Sequence, residues 1–172
     1  MIHAKVDAID GLVQECELNS LYEKAYGVEV AVDVGVYKGK TTAVLCLAAQ
    51  KVISVDDWLG EDEGSKPFYS DDVFQIFQDN MKNAGFHPEV MKMKSVEAAK
   101  LLAPESVDFV YIDADHSYSA VGADILAWLP KIRRGGIIGG HDWDLKSVRD
   151  AVSDILGTNV KVIGRNWFYD LA

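Results

Sequence analysis

Residues 29–41 read Glu-Val-Ala-Val-Asp-Val-Gly-Val-Tyr-Lys-Gly-Lys-Thr, and the change of character along that stretch decides the fold. Residues 29–34 alternate small and β-branched apolar residues, as a buried strand does. Gly35 then permits a tight turn, and its missing Cβ lets a ligand approach the backbone. Gly39 lets a helix, expected over 40–50, start close to the sheet, with free amides that can hold a carboxylate. Asp33 stands just before the turn. A second strand is expected over 51–55 and ends in Asp56, 21 residues after Gly35. A carboxylate there suits a ribose diol. The glycine spacing is G-x-x-x-G, with Tyr37 where a dinucleotide site needs its middle glycine. A tyrosine there obstructs a pyrophosphate, so a nicotinamide-dependent oxidoreductase ranks low.

Further out, apolar β-branched runs alternate with helical patterns. Helices are expected over 71–84, 96–103, 118–129 and 145–156, with Val73, Phe74, Phe77 and Met81 on one face of the first. Strands are expected over 89–93, 107–112 and from 136, with VKVIG and NWFYDL as a closing antiparallel pair. Strand–helix alternation implies right-handed crossovers, so the fold class is α/β: a doubly wound, Rossmann-like, mostly parallel sheet with a C-terminal antiparallel strand. Such sheets bind ligands beyond the carboxyl ends of their strands. Asp33, Asp56, Asp113 and Asp142 each close an apolar strand.

The length of 172 residues, 49% hydrophobic and 26% charged, fits a single domain over 1–172. No apolar run is long enough to span a bilayer, and the N-terminus lacks a signal-peptide pattern, so a cytoplasmic protein is expected. The net charge of −10 argues against nucleic acid and anionic membranes as partners. Cys16 and Cys46 make no metal or redox spacing, and Cys46 reads as a small buried hydrophobe. His3 and His87 read as surface residues, and Trp128 as core. Residues 57–70 (DWLGEDEGSKPFYS) form an acidic irregular stretch, either a lid or a solvated loop.

Two further segments carry chemistry. Residues 108–118 read Asp-Phe-Val-Tyr-Ile-Asp-Ala-Asp-His-Ser-Tyr, and residues 135–143 read Gly-Gly-Ile-Ile-Gly-Gly-His-Asp-Trp. If their strands are neighbours, Asp113, His141 and Asp142 surround one point. Carboxylates so close repel, and a cation relieves that repulsion. Oxygen ligands suit Mg²⁺, and an imidazole among them also admits Mn²⁺, Fe²⁺ or Zn²⁺. His116 suits a general base, since an imidazole titrates near about 6.5; the plainer alternatives are a loop histidine or a helix cap. Tyr118, Trp143 and Trp58 are candidates for lining an acceptor pocket.

The run VDVGVYKGKT resembles the first motif of class I methyltransferases, and is especially similar to the catechol-type O-methyltransferases. The resemblance covers roughly residues 27–145 and implies S-adenosylmethionine as cofactor. It implies that amides near Gly35, Val36 and Tyr37 meet the methionine part, that the Thr41 hydroxyl binds its carboxylate, and that Asp56 takes the ribose. Ser95 matches a serine that touches adenine, or simply caps the helix it precedes. The metal-dependent catechol-type and macrocin-type sugar O-methyltransferases share the later motifs. From them Asp113, His141 and Asp142 are implied as metal ligands and His116 as base. His141 replaces an acidic residue of that pattern, which bears on the identity of the metal. The expected activity is O-methylation of a small hydroxylated acceptor, a sugar before a phenol. A metal-independent methyltransferase and a non-catalytic cofactor-binding protein remain as alternatives. No substantial substrate domain is present, so the acceptor pocket has to be completed by residues 57–70, the N-terminal segment or a partner subunit of a homo-oligomer.

Overall fold

The structure is a computed structural model that describes residues 4–60 and 72–172. Seven strands run in chain order as β1 (Val30–Val34), β2 (Lys51–Asp56), β3 (Glu89–Lys92), β4 (Val107–Ile112), β5 (Ile132–Gly140), β6 (Lys161–Ile163) and β7 (Asn166–Asp170). They form one sheet in the order β3-β2-β1-β4-β5-β7-β6. β1 pairs in parallel with both β2 and β4, β3 with β2, and β5 with β4. β7 is antiparallel to both β5 and β6. The chain winds one way from β1 and the other way from β4, so a crevice opens above the carboxyl ends of those two strands.

The helices are α1 (Ala4–Asp7), α2 (Glu15–Ala25), α3 (Lys40–Ala48), α4 (Val73–Ala84), α5 (Ser95–Leu101), α6 (Tyr118–Trp128) and α7 (Lys146–Leu156). They cover both faces of the sheet. On one face Leu18, Leu21, Val44, Phe77 and Met81 pack on Phe109 and Tyr111. On the other, Ala98, Ile125, Trp128, Val148 and Val152 pack on Val110 and Ile112. The alternation along β4 reflects the two-residue period of a strand, and burial on both faces explains its continuous apolar run.

Some boundaries differ from expectation, and one element was not expected. The helix after the glycine turn ends at Ala48, not at residue 50. β5 starts at Ile132, ahead of its glycine pair; the parallel register with β4 shifts between Val107 and Phe109 to accommodate them. α2 is an element that periodicity did not flag. Its buried face carries Glu17, Leu21 and Ala25 at helical spacing, and a charged residue opens that stripe. The expected surface position of His3 and most of the 57–70 segment lie outside the described residues. Among the described residues, no helix is long and apolar enough to cross a membrane.

Candidate functional site

A cavity of about 560 Å³ opens over the ends of β1, β2, β4 and β5, within the usual range for small-molecule sites. Gly35, Val36, Tyr37, Thr41, Asp56 and Ser95 line one part of it. Asp113, His116, His141 and Asp142 line another. Asp33 and Gly39 support the wall from behind.

The glycine loop is held more tightly than its sequence suggested. Gly35 has φ +85°, and a Cβ there would lie 1.9 Å from the Asp113 carbonyl oxygen. The bare α-carbon therefore serves the approach of β1 to the end of β4, not primarily that of a ligand. Gly39 has φ +91°, and a Cβ there would meet Met81 and Phe77 at 2.7 and 2.8 Å. That glycine lets α3 start against α4. Between them Tyr37, at φ 51°, adopts the left-handed conformation, which costs a non-glycine residue energy and is tolerated where the surroundings enforce it.

The amides expected to meet the methionine part are already donated. Gly35 N–H bonds the Val55 carbonyl at 3.0 Å. Val36 and Tyr37 N–H both bond Asp56 Oδ2, at 2.8 and 3.0 Å. Asp56 Oδ1 accepts from Trp58 N–H at 2.7 Å. A carboxylate offers about four acceptor directions, so Asp56 keeps little capacity for a ribose hydroxyl. Its neighbour Asp57 also lines the cavity. Burial raises the Asp56 pKa, against the lowering effect of those three amides.

Thr41, which lines the cavity, also has a partner within the chain. Its hydroxyl donates to Asp33 Oδ2 at 2.9 Å, beside that of Thr42 at 2.5 Å. For the hydroxyl to donate to a cofactor carboxylate instead, it would have to turn away from Asp33. Asp33 itself is fully buried, its Oδ1 has no partner among the described residues, and burial pushes its pKa up to about 7. Ser95 is the first residue of α5, with Lys94 as the cap. Its Oγ accepts from Trp128 Nε1 at 2.9 Å, and it also bonds Asp124, a buried carboxylate on the cavity wall that the sequence reading missed.

At the other part of the cavity, Asp113, His141 and Asp142 each offer a ligand atom within 4.8 Å of the others. His141 Nδ1 lies 3.2 Å from Asp142 Oδ1 and 3.8 Å from Asp113 Oδ1. His116 Nε2 lies 2.9 Å from Asp142 Oδ2. Asp142, at φ 56°, is another left-handed residue. Two residues that no motif announced complete the cluster. Glu17, 1% exposed, faces His141 Nε2 at 3.1 Å. Arg165, in the turn between β6 and β7, bonds Glu17 Oε1 and lies 3.4 Å from Asp142 Oδ1.

The charges are mutually supporting. Burial opposes the imidazolium of His141, but Asp142, Asp113 and Glu17 outweigh it and push its pKa up to about 9. Burial also opposes ionisation of Glu17, yet the Gln14 amide, His141 and Arg165 hold it down at about 2. Asp113 and Asp142 share one environment. Burial and the neighbouring Asp142 raise Asp113, while His116 and His141 overcome burial to hold Asp142 low.

The aromatic candidates do not reach the cavity. The Trp58 ring packs on Phe74 and Phe77 at 4.7 and 5.1 Å and its Nε1 bonds the Tyr37 carbonyl. Tyr118 is exposed and bonds Asp154, and Trp143 packs against the core beside α7. In their place Leu12 and Leu145, both exposed, form an apolar rim on the cavity. Trp128 is core and His87 is exposed, as expected, while Cys46 is partly buried, with burial pushing its thiol up to about 12.

Comparison with known proteins gives the family. The model of the methyltransferase domain family matches residues 32–143. An uncharacterised protein of Sinorhizobium fredii is 25% identical over 122 residues, 67% of this chain; the chain spans 13% of that protein's length. A Corynebacterium glutamicum protein superposes with TM-score 0.75 at 14% identity, covering 97% of this chain and 88% of its own. A Bacillus cereus O-methyltransferase in complex with SAH superposes with TM-score 0.68 at 17% identity, covering 98% and 86%. A Streptococcus thermophilus rRNA methylase superposes with TM-score 0.65 at 13% identity, covering 94% and 100%. The chain therefore belongs to the methyltransferase domain family and has the fold of the class I, S-adenosylmethionine-dependent enzymes.

Proposed function

We propose that the chain methylates a hydroxyl oxygen of a small acceptor, with S-adenosylmethionine as donor and a divalent cation at Asp113, His141 and Asp142. The observation that carries this reading is the convergence of those three donors within 4.8 Å at the cavity wall, with His116 beside them. Two carboxylates and an imidazole fit Mg²⁺ or Mn²⁺. The Bacillus cereus relative is named an O-methyltransferase and was seen with SAH, which supports the same donor and the same acceptor atom here.

S-adenosylmethionine supplies an electrophilic methyl on sulfur, and a bound cation lowers the pKa of an acceptor hydroxyl. The donor lies along the part of the cavity lined by Gly35, Val36, Tyr37, Asp57 and Ser95, where Asp56 holds the loop in shape by accepting the Val36 and Tyr37 amides. Asp142 Oδ2 lies 2.9 Å from His116 Nε2, a carboxylate–imidazole contact of the kind that orients a histidine base, and this contact supports His116 as the group that takes the hydroxyl proton. Leu12 and Leu145 keep water from the acceptor. The bulk charge of −10 favours a small acceptor over a polynucleotide, and the sugar-type pattern of His116 three residues after Asp113 favours a sugar hydroxyl over a phenol.

The test is turnover of an acceptor panel with and without chelation, alongside calorimetry of donor binding. Activity that needs Mg²⁺ or Mn²⁺ and is lost in His116→Ala, with donor affinity intact, is the expected result. A second reading has an observation of its own. His141, whose pKa is pushed up to about 9 by the surrounding carboxylates, lies against Asp113 and Asp142 and offsets part of their charge, so the cluster can stand without a metal. Full activity after exhaustive chelation selects that reading.

A further inference from the structure

We propose that Glu17 is a positioning residue: it fixes the ring of His141 so that Nδ1, not Nε2, faces the cation site, and α2 thereby sets the metal affinity. The inference rests on the metal reading above. It assigns a role to a residue that lies ahead of the family-matched segment, which begins at residue 32.

The Glu17 carboxylate is held at both oxygens. Oε2 accepts the Gln14 amide at 2.8 Å and faces His141 Nε2 at 3.1 Å. Oε1 accepts the Arg165 amide at 2.9 Å and Arg165 Nε at 3.3 Å. A carboxylate fixed at both ends in a buried site cannot swing away, and an ionised one only accepts. The imidazole nitrogen facing it must therefore carry hydrogen. Once His141 is neutral, as a metal ligand must be, its lone pair lies on Nδ1. That atom is the one between Asp142 Oδ1 and Asp113 Oδ1. Turning the ring over would give up the Glu17 bond in a site only 5% exposed. The other charged groups at the cluster do not compete for the Nε2 side. His116 is engaged with Asp142 Oδ2, and Arg165 reaches Asp142 Oδ1 and the Leu12 carbonyl. A ligating histidine whose second nitrogen donates to a carboxylate gains both orientation and basicity, and losing that carboxylate weakens metal binding by about 10–100-fold.

The experiment uses the whole chain, Mn²⁺ and Zn²⁺. Mn²⁺ is titrated by calorimetry into the parent and Glu17→Gln, with S-adenosylmethionine binding measured on both. Weaker Mn²⁺ binding by about 10–100-fold with donor affinity unchanged is the expected result. Equal Mn²⁺ affinity in the two proteins overturns the role of Glu17 and leaves the metal reading standing. A parent that binds no Mn²⁺ overturns both. Nitrogen-15 spectra of the Zn²⁺-loaded parent give a readout independent of the variant's ability to fold. A protonated Nε2 and a metal-shifted Nδ1 on His141 support the inference, and metal on Nε2 overturns it.

Discussion

The cofactor loop and the acidic–imidazole cluster share one cavity but are held by different forces. The loop is contiguous, residues 33–41, and its shape is set by steric exclusion at Gly35 and Gly39 and by backbone amides closed onto Asp56. The cluster gathers Glu17, Asp113, His116, His141, Asp142 and Arg165 from separate segments, and its geometry is a balance of opposite charges. Sterics do not respond to solution conditions, whereas charge balance responds to protons and ions. On the reading proposed above, the loop is the more rigid of the two and the cluster the more responsive to protons and ions.

The largest expected effect tests the point where the two regions touch. Gly35→Ala forces a Cβ to 1.9 Å from the Asp113 carbonyl at φ +85°. We expect a loss of at least about 3 kcal/mol in urea unfolding, with donor and metal binding failing together; a variant as stable as the parent would break the contact that joins the regions. Next, His116→Ala should lower turnover by about 10²-fold or more while calorimetry finds donor affinity unchanged. If donor affinity falls as well, the regions are not separable.

A pH-dependent effect concerns Asp33, whose pKa is raised by burial from 3.8 to about 7. Between those values the folded chain keeps a proton that the unfolded chain has lost, so this group's contribution makes stability fall as pH rises from 3.8 to about 7. Asp33→Asn should remove that fall, so unfolding midpoints of variant and parent diverge in the variant's favour across the window. A constant difference would mean that Asp33 is ionised throughout. Smallest, Asp56→Ala should release the Val36 and Tyr37 amides, loosen the loop and weaken donor binding by about tenfold, without changing Mn²⁺ affinity.

The two regions also differ in how far the sequence revealed them. The strand–helix alternation, the glycine turn and the convergence of Asp113, His141 and Asp142 follow from period, punctuation and the rule for strand ends. What failed was the assignment of partners. Thr41 and the loop amides have the right types for a ligand, but Asp33 and Asp56 bind them first, and nothing in a linear motif shows that competition. Trp58 and Trp143 follow strand ends and so looked like pocket walls, yet large apolar rings near a core are drawn into it. Glu17 and Arg165 are 148 residues apart and sit in no motif. The one clue was an acidic residue on the buried stripe of α2, in register with Leu21 and Ala25.

β7 enters the sheet between β5 and β6, and Arg165 lies in the turn that leads into it. During synthesis, residues 30–140 can complete the parallel half of the sheet, and with it the donor loop, while Trp167 and Phe168 are still in the ribosomal tunnel. Until they emerge, the flank of β5 carrying Gly139 and Gly140 has no neighbour and Glu17 lacks its arginine. Such contacts, distant along the chain, are slow to form. On the proposed assignment of the two regions, a nascent chain would thus form its glycine loop before its acidic–imidazole cluster is complete.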